Sequence, residues 1–140
     1  MAVDVKTLRI GSHVLMNGVR AKVMKLNSVK LSEVMTFHIL VRGVSPDTGS
    51  VGECGCFADD KAVQPIPITP ELLVEIGLVK ETPNIVKRVG DYFIYFHYLH
   101  DDLWRIGMYD DTYNYGNCIV RYLHEAEAFL ALHGVELIKE

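Results

Sequence analysis

Pro65-Ile66-Pro67-Ile68-Thr69-Pro70-Glu71-Leu72-Leu73-Val74-Glu75-Ile76-Gly77-Leu78-Val79-Lys80 is the stretch in which every local helix signal agrees. Thr69 is placed to accept a backbone N–H as N-cap, Pro70 sits at the first helical position where its missing N–H is not needed, and Glu71 faces the positive helix end. Gly77 stops the helix after about two turns. Ile68 and Leu73 have the spacing of a hydrophobic staple, which fixes the angle at which the extended Pro65-Ile66-Pro67 segment enters. The stretch therefore predicts a short pinned connector over 65–80. It joins two β-rich halves, 1–64 and 81–140, of a single domain.

N-terminal to the connector, Leu8 to Met16 reads as a strand. Asn17-Gly18 is a strong hairpin signal, because both central residues of a type I′ turn need positive φ. Beyond the turn Val19, Ala21 and Val23 alternate with Arg20, Lys22 and Met24, giving one apolar and one polar, largely basic face. Val34 to Val44 is a further β-branched strand, Ser45 to Gly49 a turn by composition, and Ser50 to Phe57 a weak return strand that Gly52 and Gly55 make edge-like or bulged. Four short strands opened by a hairpin predict a curled antiparallel sheet or an SH3-like small barrel.

C-terminal to the connector, Asn84 to Arg88, Asp91 to Leu99 and Leu103 to Tyr109 form a second β region with turns at Val89-Gly90-Asp91 and His100-Asp101-Asp102. Both alternating sets of Asp91 to Leu99 are apolar or aromatic, so that strand is central or lies under a helix. Asp110 to Asn117 reads as a turn-rich loop. Cys118 to His133 carries apolar residues at helical spacing, Gly134 ends that helix, and Val135 to Lys139 reads as a short edge strand. The predicted class is α+β, with the second antiparallel sheet covered by the C-terminal helix.

The chain has 140 residues, 49% of them hydrophobic, enough for a real core. No apolar run is long enough for a membrane span, and the N-terminus lacks the pattern of a signal peptide. Cys54, Cys56 and Cys118 are an odd number of thiols, which fits a reducing compartment without a structural disulfide. These features predict a bacterial cytoplasmic protein without a membrane partner. Charge is divided unevenly: residues 1–45 hold seven basic against two acidic residues, net +5, and the remainder seven against sixteen, net −9, together the overall −4.

Leu8-Arg9-Ile10-Gly11 followed by a hairpin, the 65–78 connector, and a terminal tyrosine-histidine helix closing on Leu132-His133-Gly134-Val135-Glu136-Leu137 resemble a family of small proteins encoded by phages and prophages of gut bacteria. That family has no assigned activity. The resemblance implies a phage-type accessory protein and supplies no catalytic residue, and no role is carried onto His124.

Several residue groups carry side chains capable of chemistry. His97, His100, Asp101 and Asp102, with Asp110 and Asp111, combine imidazoles and carboxylates near strand ends, although His97 and His100 point to opposite faces of an extended chain. Cys54-Gly-Cys56 is half a zinc knuckle without a second half. No phosphate-binding GxxxxGK[ST] loop, GxGxxG fingerprint or GxSxG nucleophile motif occurs, so neither an enzymatic activity nor a cofactor is predicted. The basic face is the stronger signal: Arg20, Lys22 and Lys25, with Arg9 and Arg42 nearby in sequence, can contact an anion.

The expectation is a non-catalytic binding protein acting on a protein partner or sequestering a small phosphorylated ligand. Nucleic-acid binding through the basic hairpin and a virion structural or assembly role are the alternatives. Opposed charge in the two halves also predicts homo-oligomerisation, with exposed parts of the aromatic run Tyr92 to Tyr115 as apolar anchors.

Overall fold

The computed structural model describes residues 8–31, 34–44, 51–57, 63–81 and 83–138. The chain divides into two compact units, Met1–Ile66 and Pro67–Glu140, each built on a five-stranded antiparallel sheet. The fold is thus β-rich with few helices. Among the described residues no helix is long and apolar enough to cross a membrane.

In the first unit β1 (His13–Met16) turns through Asn17-Gly18, whose φ angles of 50° and 80° are those a type I′ hairpin demands, into β2 (Val19–Leu31). β3 (Val34–Val44), β4 (Val51–Phe57) and β5 (Val63–Gln64) complete the order β4-β3-β2-β1-β5. β4 is an edge strand, as its glycines imply. Leu8, Val14, Ala21, Val23, Ile39, Val41 and Val63 form the core. The expected strand over Leu8 to Met16 begins only at His13, because residues 9–12 form a turn: the Arg9 amide donates to Ser12 Oγ at 3.0 Å, the Ser12 amide donates to the Arg9 carbonyl at 3.0 Å, and Gly11 takes φ 95°. The turn anticipated at Ser45 to Gly49 lies outside the described residues.

In the second unit α1 (Pro70–Glu75) has the anticipated caps. Thr69 Oγ1 accepts from the Leu72 amide at 3.1 Å, and Gly77 leaves the helix at φ 104°. Lys87 Nζ donates to the Ile76 carbonyl at the helix end and to the Leu137 carbonyl, both at 3.2 Å, placing a cation where the helix dipole favours one. β6 (Val79–Glu81), β7 (Asn84–Val89), β8 (Tyr92–His100), β9 (Leu103–Tyr109) and β10 (Asn114–Val120) form a meander in the order β10-β9-β8-β7-β6. β8 is the central strand of the sheet, as the apolar and aromatic character of both its alternating sets led one to expect.

The register sorts this meander into two faces. Ile85, Ile94, Phe96, Trp104, Ile106, Met108 and Val120 point inward and are buried together with Ile68, Leu73 and Leu78. α2 (Leu123–Ala131) turns Leu123, His124, Ala126 and Leu130 inward. Phe93, Tyr95, His97, Arg105 and Tyr109 point the other way, onto a face open to solvent.

The C-terminal helix is shorter than its periodicity predicts. Cys118, Ile119 and Val120 pair with Ile106, Arg105 and Trp104 and so belong to β10, and Asn114 to Asn117, expected as loop, starts the same strand through a bulge. Helix formation waits until Tyr122, whose amide donates to Glu125 Oε1 at 2.9 Å while the Arg121 amide donates to the same oxygen at 3.0 Å. Residues 135–138 form no strand. Val135 and Leu137 are buried, and the Leu137 carbonyl is engaged by Lys87 instead.

Candidate functional site

In the first unit, Leu15 faces Arg20, His13 faces Lys22 and Lys22 faces Arg42, so one side of the sheet gathers cations. Simple alternation would turn Lys25 toward the apolar side with Val23. A bulge between Val23 and Lys25 absorbs Met24 as an extra residue, so Lys25 faces Leu40 and Leu26 faces the core residue Ile39. Arg20, Lys22 and Lys25 therefore share one face. Lys25 is exposed; Arg20 and Lys22 are half-buried. Arg42 shares the face but is committed to Glu53, whose Oε1 accepts from its Nε at 3.1 Å and its Nη2 at 2.5 Å. Arg9 lies outside the sheet, in the turn that precedes β1.

The histidines and carboxylates of the second unit do not converge. His97, on the open face, donates through Nδ1 to Asn84 Oδ1 at 2.9 Å. His100 pairs with its neighbour Asp101 at 3.2 Å, fully at the surface, and Asp101 and Asp102 take φ 50° and 62° as the turn between β8 and β9. Among the described residues no three His, Cys, Asp or Glu side chains lie together as a metal site would require. The side chains of Cys54 and Cys56 lie outside the described residues. Cys118 is a free thiol, and burial with the Glu125 carboxylate nearby holds its pKa above the ordinary thiol value, the opposite of an activated nucleophile.

Asp110 has a structural task. Its Oδ1 accepts from the Thr112 and Tyr113 amides at 2.8 and 2.6 Å, and its Oδ2 accepts from the Tyr115 hydroxyl at 2.5 Å. The Tyr115 hydrogen bond, then the two amides, hold the carboxyl below its ordinary value, while the same bond pushes the Tyr115 phenol from 10.0 up to about 12. The signs follow from linkage: the Asp110 contribution is lost as pH falls below the ordinary carboxylate range, and the Tyr115 contribution is complete below about pH 10 and lost as pH rises toward 12. In a phenolate absorbance titration one of the seven tyrosines should therefore ionise late. Asp110→Asn should return it toward 10; a titration unchanged by that substitution would show that the pair does not hold the loop.

The open face of the second sheet, which sequence reading did not single out as a site, carries an ordered aromatic array. Arg88, Phe93 and Tyr109 are cross-strand neighbours on β7, β8 and β9. The Arg88 guanidinium lies 5.6 Å from the Phe93 centroid, and the Phe93 and Tyr109 rings stack at 5.3 Å with planes 17° apart. One pleat along, Tyr95 faces Gly107, and its ring lies across that glycine where any Cβ would meet Cε1, Cζ and Oη. Beyond it His97 faces Arg105, which faces Ile119. The signal available from sequence was the set Phe93, Tyr95, His97 alternating on β8. The glycine beneath Tyr95 is visible only once β8 and β9 are in register.

No protein-family model and no curated protein matches the chain. Among solved structures it is similar to eukaryotic translation initiation factor 5A from Methanococcus jannaschii, at 13% identity and a TM-score of 0.33, covering 88% of this chain and 96% of that one. At that distance the likeness carries no inference about function.

Proposed function

We propose that this protein is a non-catalytic binding module in which Arg20, Lys22 and Lys25 contact an anionic ligand. The observation that carries the reading is the Met24 bulge: it turns Lys25 onto the face of Arg20 and Lys22, while Glu53 neutralises the adjacent Arg42. Three cations on one strand surface, alternate ones roughly 6.8 Å apart along β2, suit a phosphorylated small molecule or an acidic protein segment. The order β4-β3-β2-β1-β5 supports an SH3-like small barrel as the scaffold. The resemblance to phage-encoded proteins makes the bacterial cytoplasm the setting and a host or phage protein the alternative target. Self-association would use the same charge asymmetry.

Native mass spectrometry of bacterially expressed protein identifies a retained ligand, and calorimetry with a panel of nucleotides and sugar phosphates measures it. Arg20→Glu with Lys22→Glu should weaken binding by at least about tenfold, the loss expected when a charged hydrogen-bond partner is removed, with the melting temperature unchanged. Unaltered affinity in the folded variant removes these residues from the site. A second reading, nucleic-acid binding through the same basic hairpin, is favoured by the three cations that the Met24 bulge brings onto one face. A steep fall of affinity with salt would distinguish it.

A further inference from the structure

We infer that the open face of the C-terminal sheet is a base-stacking platform for single-stranded nucleic acid, with Tyr95 at its centre. This goes beyond the anion contacts of the N-terminal sheet and uses none of their residues. Three features select the occupant. Gly107 lets the Tyr95 ring cross the sheet over β9, where any Cβ would meet Cε1, Cζ and Oη, and the ring stays half-exposed to a ligand. A flat π surface of this kind accepts any base, without hydrogen-bond readout.

The second feature is charge. Arg88 and Arg105 lie on this face on either side of Tyr95, and the outward positions of β7, β8 and β9 carry no carboxylate; Glu81 stands apart on the edge strand β6. Such a face attracts phosphates, with Glu81 confined to its edge. Arg88 is oriented by its Nε donating to the Gly90 carbonyl at 3.0 Å, which leaves its other guanidinium N–H groups for a ligand. Third, the rings are held in place before any ligand arrives. Phe93 is fixed between Arg88 and Tyr109, and Tyr109 also lies 6.1 Å from Tyr95. A platform ordered in advance loses little entropy on binding. The aliphatic side chains of this face, half-buried Val86 beside Tyr95 and exposed Val79 and Ile119, are separated by the rings and arginines rather than joined in one apolar groove for a peptide. Duplex nucleic acid keeps its bases stacked inside, out of reach of Tyr95.

The test is fluorescence anisotropy of the full chain with labelled oligo(dT) and oligo(U), so that DNA and RNA are compared directly. Binding of one or both is expected at micromolar protein and low salt. Tyr95→Ala should weaken it on the order of 10- to 100-fold, the loss of about one stacked base, whereas Tyr95→Phe keeps it. Gly107→Ala should weaken it comparably: the added methyl meets only the far end of the Tyr95 side chain, so the ring is displaced while the backbone stays, and circular dichroism remains that of the parent. Arg88→Gln with Arg105→Gln should lower the slope of log affinity against log salt by about 1.4, roughly 0.7 per charge.

Three results would overturn the inference: no binding of either oligonucleotide at about 100 μM protein and about 50 mM salt; parental affinity in folded Tyr95→Ala and Gly107→Ala; or equal competition by duplex. Binding that persists in both of those variants but is lost in Arg20→Glu with Lys22→Glu would place the nucleic acid on the other sheet, overturning this inference while supporting the anion site. Loss of the anion site alone leaves the Tyr95-dependent binding intact.

Discussion

Phe96→Ala is expected to lower the stability of the C-terminal unit by about 3–5 kcal/mol, the range for removing a fully buried aromatic ring. Phe96 is completely shielded at the middle of the central strand, opposite Ile85 on one side and Ile106 on the other. Each neighbour is itself buried and held by two ladders, so the surrounding strands cannot collapse into the space. The cavity cost therefore adds to the lost transfer energy. Against a total of about 5–15 kcal/mol for an ordinary domain this is a large fraction. For a unit of this size the thermal midpoint should fall by more than about 10 °C. The fluorescence of Trp104, the chain's single tryptophan and a buried member of the same core, reports the transition directly. A shift of under about 1 kcal/mol would mean that β8 is not the central strand.

That central position was legible in the sequence from the apolar and aromatic character of both alternating sets of β8, although one of them, Phe93, Tyr95 and His97, lies on the open face. The α1 helix and the Asn17-Gly18 hairpin were legible for a related reason: Thr69, Pro70, Gly77, Asn17 and Gly18 each act through their own backbone, within a few residues. β10 was not. Ile119 and Val120 satisfy a helical period as well as a strand, and the bulge near Gly116, at φ 102°, breaks the alternation that would have marked the strand. What settles the matter is pairing with β9, a relation between residues that local pattern does not contain.

The candidate sites divide in the same way. The basic residues of β2 could be named from alternation, but alternation alone turns Lys25 toward the core. Only the two-against-one pairing around Met24 explains how Lys25 and Leu26 each reach the correct side. The Tyr95 platform depends on Gly107 standing opposite it. Twelve positions separate them in sequence, and no property of either residue announces the other. Conversely, the His97, His100 and Asp101 cluster looked chemical because its members are close in sequence. In the folded chain His97 is taken by Asn84 on β7, while His100 and Asp101 pair with each other at the surface of the turn.

Trp104→Phe is expected to cost about 2–4 kcal/mol, although the replacement is aromatic and apolar. The indole is only 3% exposed, and its Nε1–H donates to the Ile68 carbonyl at 3.1 Å, so the ring fills the core and satisfies a backbone group of the segment entering α1. Phenylalanine leaves that carbonyl buried without its donor and leaves part of the indole volume empty. The first effect alone costs about 1–3 kcal/mol. Ile68 is also tied through its own amide to the Arg121 carbonyl at 3.2 Å, and Pro67 bridges Tyr122 beside it. The segment that leads into α1 is thus fastened to β9 by the tryptophan and to the start of α2 by backbone bonds. Loss of the indole bond should release the Ile68 amide as well, raising its hydrogen exchange by more than global destabilisation explains. Urea unfolding followed by circular dichroism gives the stability and amide exchange gives the local effect. A variant that loses stability while Ile68 exchanges only at the global rate would reduce Trp104 to a space-filling role. If the effect is local, the connector is held in place by one hydrogen bond that no helix or strand signal in its own sequence foretells.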